Sequence, residues 1–271
     1  MVAFPAVPSR PLPIAVAPAL LLIAISGWEM CAARCDATAV PAPDAAAWRA
    51  AAATVRAGFR PGDLIVFAPD WIDPVGRMQL GDLIPIEAAA RMDAARYGRI
   101  WELAIRGARS PDTAGLAPVE AADHAGVAVR RYERAPAIVV GDVLDRLASA
   151  TSDGPRPTLE LAEVGFAPHR CLQISPAPGA AVRIAFPGLP LGRELVGYVG
   201  IADVFTRRDV RSPGRLEVEI GGRVVASAVA GVDDGWVRFA APTAPGPADV
   251  VVIARATDAN RRICFAAEAR Q

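Results

Sequence analysis

The pattern of apolar and polar positions divides the chain into three stretches, of which the first is a charge-free run near the amino terminus. Residues 11–28 contain no charged side chain, with Arg10 before them and Glu29 after them. A short apolar run behind one basic residue is typical of a secretory leader, and about 18 apolar residues are also the lower limit for a membrane span. We therefore expect residues 1–39 to be a signal peptide or an N-terminal membrane anchor formed by residues 11–28. The protein is then exported, either to the periplasm or into the medium.

Helix and strand patterns alternate in the second stretch, residues 40–150. An alanine-rich run begins behind Asp44 and stops at Gly58, as a capped helix does. The other predicted elements are strands at Leu64–Phe67, Ile100–Ile105, Val127–Tyr132 and Pro136–Val140, helices at Pro85–Tyr97 and Pro118–His124, and a loop at 68–84. Strands that alternate with helices favour a small, mostly parallel α/β sandwich.

The loop after the first predicted strand contains the side chains best suited to a ligand in this stretch. It carries Asp70, Trp71, Asp73 and Arg77, and ligands of α/β folds bind at the loops that follow strands. Carboxylates accept hydrogen bonds from hydroxyl groups, tryptophan stacks on sugar rings, and arginine forks onto anions. The alternative is a long loop that is fixed by its own Asp–Arg pairs with Trp71 half buried.

The third stretch, residues 161–271, follows a linker rich in turn-forming residues at 151–160. It alternates as about eight short strands without helices between them, and Gly221–Gly222 supplies a two-residue hairpin turn. This spacing predicts an antiparallel β-sandwich, specifically a jelly roll. The expected fold class is therefore α/β plus all-β, with the α/β domain at 40–150 and the jelly roll at 161–271.

Two cysteines lie near the two ends of this third stretch. Cys171 and Cys264 either form a disulfide, as exported proteins permit, or stay as two buried thiols. A bridge would close a loop of about 90 residues and would stabilise the fold by about 4 kcal/mol in the chain-entropy treatment.

Part of the second stretch resembles a family of membrane enzymes. The runs Arg60–Pro69 and Tyr97–Leu103 are similar to the soluble carboxy-terminal region of polyprenol-phosphate-dependent membrane glycosyltransferases, and the likeness covers roughly residues 58–145. The catalytic acids of that family lie in its membrane part, so no catalytic residue is carried over. The resemblance implies a role connected with surface polysaccharides.

The third stretch resembles galactose-binding-like jelly rolls, a group that includes carbohydrate-binding modules. The likeness rests on Leu195–Asp203 and on the hairpin Leu216–Val225. It departs from the family pattern at Ala202 and in its Gly–Gly turn. It implies carbohydrate binding, and it implies that the first and last strands are neighbours, which would bring Cys171 near Cys264.

A sugar site on the jelly roll needs exposed aromatic rings beside hydrogen-bonding side chains. Tyr198, Arg207, Trp236 and Arg238 meet this need, because Trp236 and Arg238 share a strand face that points outward if Val237 and Phe239 point into the core. The alternative is that Trp236 covers a sheet edge or packs on the first domain.

Composition and charge limit the remaining functions. Basic and acidic residues balance at 29 each, so the positive field of a nucleic-acid binder is absent. Nucleotide-binding motifs, paired zinc-binding histidines and a serine nucleophile elbow are also missing. We therefore expect no cofactor, no metal and no catalytic residues.

The sequence favours an exported, non-catalytic protein of the cell envelope that binds or helps to assemble surface glycans. One alternative is an enzyme acting on envelope glycans, either a hydrolase or a transferase, through the Asp70–Arg77 loop. The other is a structural protein that docks a membrane glycosyltransferase.

Overall fold

The structure, a computed structural model, describes residues 16–39, 42–202 and 212–271. The chain separates into two compact units, Met1–Ala45 and Ala46–Gln271. The first unit contains the helix α1 (Val16–Ala39), which covers much of the predicted leader, whereas residues 11–15 of the charge-free run lie outside the described residues. Among the helices of the described ranges, none combines the length and the hydropathy that a membrane span requires.

The second unit begins with a four-stranded sheet in the order β1–β2–β4–β3. Its elements are α2 (Ala45–Gly58), β1 (Leu64–Ala68), α3 (Asp73–Leu80), α4 (Ile86–Ala89), β2 (Arg99–Ile105), β3 (Glu120–His124) and β4 (Val127–Glu133). Only β1 and β2 are parallel, and the β2–β4 and β3–β4 pairings are antiparallel. The prediction of a mostly parallel sheet is therefore not confirmed.

Two segments that were predicted as helices have other structures, and this explains why the sheet is mostly antiparallel. The segment Pro118–His124 forms the strand β3 instead of a helix, and it pairs with β4 through a turn at Ala125 and Gly126, whose φ angles are 49° and 94°. A parallel crossover needs a dozen or more connecting residues, whereas a two-residue turn makes its flanking strands antiparallel. The helix predicted over Pro85–Tyr97 shrinks to the single turn α4, and the loop predicted over 68–84 contains the helix α3.

The two faces of this sheet are covered differently. On one face α2 packs its apolar side chains, including Trp48 and Val55, against Phe67, Trp101 and Leu103 of the sheet. This packing follows from the alanine-rich amphipathic pattern of α2, since small side chains let the helix approach closely. The other face is covered by side chains of the irregular chain that follows α3.

A buried carboxylate fastens that irregular chain to the sheet. Glu102 of β2 is fully buried and accepts hydrogen bonds from Thr113 Oγ1 at 2.5 Å, Ser110 N at 2.8 Å, Arg130 Nη1 at 2.9 Å and Tyr132 Oη at 3.1 Å. Burial alone would raise the pKa of this carboxyl, but the donors outweigh it and lower the pKa. Glu102 is therefore ionised, and its role is to accept these hydrogen bonds and hold the irregular chain on the sheet.

The rest of the second unit is a sandwich of two antiparallel sheets. One sheet has the order β13–β10–β15–β8–β7, with β5 also paired to β15, and the other has the order β12–β11–β14–β9–β6. The strands are β5 (Val139–Asp142), β6 (Thr151–Ser152), β7 (Thr158–Val164), β8 (Ala167–Ile174), β9 (Ala181–Leu191), β10 (Glu194–Ile201), β11 (Gly214–Ile220), β12 (Arg223–Ala230), β13 (Val237–Pro242), β14 (Gly246–Ala256) and β15 (Ile263–Arg270). We call the first of these the outer-site sheet, because its outward face carries the groups described below.

The strand order is that of a jelly roll. The eight strands from β8 to β15 form two sheets of four, β8 and β15 are neighbours as the first and last strands, and the connections pass repeatedly between the sheets. The apolar positions of the alternating strands, such as Ile184, Phe186, Val252 and Phe265, fill the space between the sheets. The predicted eight-stranded sandwich is confirmed.

The predicted disulfide is also present. Cys171 of β8 and Cys264 of β15 are bonded, with their Cα atoms 5.6 Å apart and 93 residues apart in sequence. The pair lies on the outward face of the outer-site sheet, in a small apolar cluster that also contains Val164. A disulfide of this kind fits an extracellular protein.

Strands of the sandwich begin earlier than the sequence predicts. The strand β5, predicted as part of the α/β domain, pairs with β15, and β6 and β7 occupy both ends of the predicted linker at 151–160. The small sheet and the sandwich belong to the same compact unit. The division into domains at residues 150 and 161 stays a prediction.

Candidate functional site

The predicted loop site forms a short helical structure at the surface. Asp70 and Trp71 lie in a single turn of 3-10 helix, both exposed, with 64% of Trp71 accessible. Asp73 begins α3 and accepts a hydrogen bond from Arg77 Nε one turn later. The Asp–Arg pair thus fixes the segment internally, as the alternative interpretation expected, although Trp71 is exposed instead of half buried. Neither of the cavities described below is lined by these residues.

Trp236 and Tyr198 lie together on the outward face of the outer-site sheet. Phe239 is buried in the core and Val237 packs against it, so Trp236 and Arg238 point outward, as the alternation predicts. Trp236 stacks on His169 with ring centroids 4.5 Å apart and on Tyr198 at 5.9 Å. We call these three rings, His169, Trp236 and Tyr198, the aromatic row.

The aromatic row is covered by a segment of the same chain. The residues Ala90–Tyr97, here called the covering segment, follow α4 and cross the row without regular secondary structure. Trp236 Nε1 donates to Met92 O at 3.1 Å, His169 Nδ1 lies 3.2 Å from Arg91 O, and Tyr198 Oη donates to Asp93 at 3.3 Å. All three rings are therefore half buried and use their polar atoms to hold the segment. This agrees with the alternative in which Trp236 packs on the first part of the chain.

Burial under the covering segment changes the acid–base behaviour of the row. It lowers the pKa of His169 to about 4, because the charged imidazolium would lose its hydration. Burial, together with the negative charge of Asp93, raises the pKa of Tyr198 to about 12. At neutral pH both rings are uncharged, which suits stacking on Trp236.

A chain of ion pairs continues from the covering segment into the sheet. Arg270 binds Asp93 at 2.9 Å and Glu268 at 3.0 Å. Arg96 binds Glu268 at 2.8 Å and Asp142 at 2.5 Å. Because burial removes water from both carboxyls, it raises the pKa of Glu268 and the pKa of Asp142 in spite of their arginine partners.

A cleft of about 200 Å³ opens beside these ion pairs, between the covering segment and the sheet. Glu268 and Asp142, which are register partners on β15 and β5, form part of its floor. Its walls include Arg91, Arg96 and Tyr97, together with Glu87, Asp145 and Arg170. The cleft is therefore lined by charged groups of both signs and one aromatic ring.

Four groups in this cleft are available to a ligand. Glu87, Asp145 and Arg170 are exposed and make no ion pair with any other residue in the described ranges. Within the same ranges the hydroxyl of Tyr97 takes part in no hydrogen bond, and burial raises the pKa of this hydroxyl. Two acceptors, one guanidinium and one phenol around a small cleft are able to bind several hydroxyl groups at once.

The remaining predicted ligand residues are placed elsewhere. Arg238 is exposed and forms an ion pair at 3.2 Å with Glu194 of the neighbouring strand β10. Arg207 lies outside the described residues. Within the described part of the chain, no hydrogen bond, ion pair or ring contact joins the Asp70–Arg77 segment to Tyr198 or Trp236.

Sequence reasoning missed the cleft because it lies between distant segments. Its walls come from the segment predicted as one helix together with Asp145 and Arg170, and its floor comes from the ends of β5 and β15. One signal was present in the strand pattern of β15. Cys264, Ala266, Glu268 and Arg270 alternate on one face, and the two charged residues at the end of that face require polar partners in a covered sheet.

Comparisons with known proteins assign neither a family nor a ligand. No protein family matches the chain, and neither does any curated protein, so the glycosyltransferase likeness stays a hypothesis.

Several solved structures resemble the sandwich, and they include carbohydrate-binding modules. One contains the CBM51-2 and INT domains of Clostridium perfringens ZmpB, at 13% identity over 45% of this chain and a TM-score of 0.33. Others are the CBM51 of Clostridium perfringens GH95 with methyl-galactose (11% identity over 44% of this chain, TM-score 0.30) and the CBM6 of Zobellia galactanivorans LamC (13% over 44%, TM-score 0.29).

The shares of those proteins that are matched differ widely. This chain spans 29% of the ZmpB structure, 86% of the GH95 module and 90% of the LamC module. At such low TM-scores none of the likenesses assigns a ligand.

Proposed function

We propose that this protein is an exported, non-catalytic glycan-binding protein whose ligand site is the charged cleft beside the covering segment. The observation that carries the proposal is the set of free groups in that cleft: Glu87, Asp145, Arg170 and the hydroxyl of Tyr97. Carboxylates accept hydrogen bonds from sugar hydroxyls, guanidinium groups donate to them, and an aromatic ring packs on the apolar face of a pyranose.

The size of the cleft favours a small part of a glycan. Its volume of about 200 Å³ is below the range of about 300–1,000 Å³ that is common for drug-sized ligands. We therefore propose that it accepts one sugar residue of a longer glycan and not an extended stretch of chain.

The state of the buried carboxylates supports a binding role over a catalytic one. Glu268 and Asp142 are the acids nearest the floor, and both are held by Arg96. Both carboxylates are engaged by arginine side chains of the same chain, so neither is free to attack or to protonate a bound sugar.

Export is supported independently of the cleft. The Cys171–Cys264 disulfide is of a kind that persists outside the reducing cytoplasm. The charge-free run behind Arg10 is consistent with a leader. The proposal is export as such, and it includes a periplasmic, a secreted and a membrane-anchored protein.

Titration of the protein with methyl glycosides of galactose, glucose, mannose and N-acetylglucosamine, followed by calorimetry, tests the site. We expect at least one of them to bind. Arg170→Ala removes the guanidinium and Asp145→Ala removes the carboxylate, and each change should weaken that binding by about tenfold. Both residues are exposed, so the variants should fold normally.

Trp71→Ala is the matched control, because it removes the exposed ring of the other predicted site. We expect it to leave the affinity unchanged. Loss of binding in Trp71→Ala with full binding in Arg170→Ala would move the site to the Asp70–Arg77 segment. The absence of binding to every glycoside of the panel would refute the proposal.

A further inference from the structure

An apolar groove lies next to the charged cleft. It has a volume of about 340 Å³ and is lined by Ile86, Leu159 and Leu161, by Glu160, and by three residues that it shares with the cleft. These three apolar side chains are 53%, 39% and 56% exposed. Large aliphatic side chains that converge on an open groove are a sign of an interaction site.

The position of β7 explains why the groove is open. This strand is the edge of the outer-site sheet, and its Leu159 pairs in register with Leu172 of β8. Leu172 is fully buried in the core of the sandwich, whereas Leu159 and Leu161 project beyond that core. Their apolar surface is therefore available to a molecule that lies along the edge.

The groove and the cleft adjoin each other. Glu87, Ala90 and Arg170 line both of them. The groove is mostly aliphatic, with Glu160 also in its lining, whereas the cleft presents carboxylates, guanidinium groups and Tyr97. A single ligand that fills both must itself be polar at one end and apolar at the other.

We propose that the cleft and the groove form one site for a lipid-linked sugar. The sugar occupies the charged cleft, and the first part of its hydrocarbon chain lies on Leu159 and Leu161. This inference rests on the proposed function, since it assumes that the cleft binds a sugar. It adds the class of ligand, which is a glycolipid and not a free polysaccharide.

An extended peptide is the competing occupant, because β7 has a free strand edge that is able to pair with another strand. Such a peptide would run along β7 and would have no need of the polar cleft. The shared residues at the junction, Glu87 and Arg170, therefore favour an amphiphile whose polar and apolar parts are joined at that point.

The test compares the methyl glycoside of the sugar that binds with the n-octyl glycoside of the same sugar, below its micelle concentration, by calorimetry. Burial of only two methylene groups should already tighten binding by about tenfold. We expect the octyl glycoside to bind at least that much more tightly.

Leu161→Gln tests the groove directly. We expect it to abolish the advantage of the octyl chain and to leave the affinity for the methyl glycoside unchanged. Val224→Gln is the matched control, since Val224 is 54% exposed on β12 of the other sheet, and it should keep the full advantage. Thermal unfolding of both variants checks that they are folded.

The outcomes separate the inference from the proposed function. If the methyl glycoside binds and the octyl glycoside binds no more tightly, the inference is wrong and the sugar site stands. The inference is also wrong if the octyl glycoside still binds more tightly than the methyl glycoside in Leu161→Gln, or if this difference in affinity disappears in Val224→Gln. Leu161-dependent binding of an apolar peptide without any octyl advantage would assign the groove to a partner strand. If neither glycoside binds, the proposed function fails and the inference fails with it.

Discussion

At the scale of single residues, the side chains that bind sugars are also able to hold a protein segment in place. Tryptophan and tyrosine beside polar groups are able to stack on a sugar, and they are equally able to hold a segment of the same chain. Trp236, Tyr198 and His169 do the second, through partners that lie 144, 105 and 78 residues away in sequence. The sequence located the outward face of Trp236 but not the segment that covers it, because such distant partners leave no local pattern.

His169 should make the stability of the fold depend on pH. Its pKa in the folded protein is about 4, below the usual 6.5, so between these pH values the unfolded chain binds a proton that the folded chain does not. The free energy of unfolding should therefore fall as the pH falls from 6.5 towards 4, with about 2 kcal/mol of the loss due to this residue.

His169→Phe keeps a ring on Trp236 and removes the titrating group, so it should lose less stability over the same pH range. Urea unfolding at pH 7 and pH 4.5 measures the loss of unfolding free energy in each protein. The carboxyl groups titrate in both proteins, so their contribution cancels in the comparison. Equal losses in the two proteins would contradict the assignment.

At the scale of secondary structure elements, the covering segment shows how tertiary contacts override helix propensity. The composition of Pro85–Tyr97 predicts a helix, yet the helix ends after the single turn Ile86–Ala89. The carbonyl oxygens of Ala90, Met92 and Ala95 accept hydrogen bonds from Arg170, Trp236 and Ala137 instead of from the next helical turn. Helix propensities are small, and hydrogen bonds to these distant segments outweigh them.

The disulfide joins two neighbouring strands, β8 and β15, at opposite ends of the sandwich sequence. Because it closes a loop of 93 residues, replacing both Cys171 and Cys264 by serine should lower the free energy of unfolding by about 4 kcal/mol. Urea unfolding with and without reductant measures the effect, and reductant should destabilise the native protein but not the double variant.

Cys31→Ser is the control for the disulfide, since Cys31 is a free and exposed cysteine. It should unfold like the native protein. A native protein whose stability does not respond to reductant would show that the bridge contributes little.

At the scale of the whole molecule, the small sheet and the jelly roll are joined by the covering segment and by β5. The ion pairs of Arg96 with Glu268 and Asp142 cross between these parts, and Gln271 N donates to Ile138 O at 3.0 Å. Such contacts belong to one compact unit, although the sequence predicts two domains separated at 151–160.

We expect the small sheet and the jelly roll to unfold together. Hydrogen exchange followed by mass spectrometry in increasing urea should give the same opening free energy for amides of β2 and of β15. Earlier loss of protection in β2 would show that the predicted domains unfold independently.

Arg96→Ala removes the central ion pairs between the two parts and should separate the two opening free energies. Arg77→Ala is a suitable control, because its partner Asp73 lies one helical turn away within α3. It should leave the two opening free energies coupled.

The sequence by itself determined the β-sandwich, because the alternating apolar positions of eight successive strands are all buried when the strands form two sheets with those positions between them. It also determined the helix α2 and the outward direction of Trp236. Only the tertiary structure decided the strand directions in the small sheet, the cover over the aromatic row, and the cleft between residues 87–97 and the ends of β5 and β15. Local patterns record which face of an element is buried, whereas these features depend on which distant segment buries it.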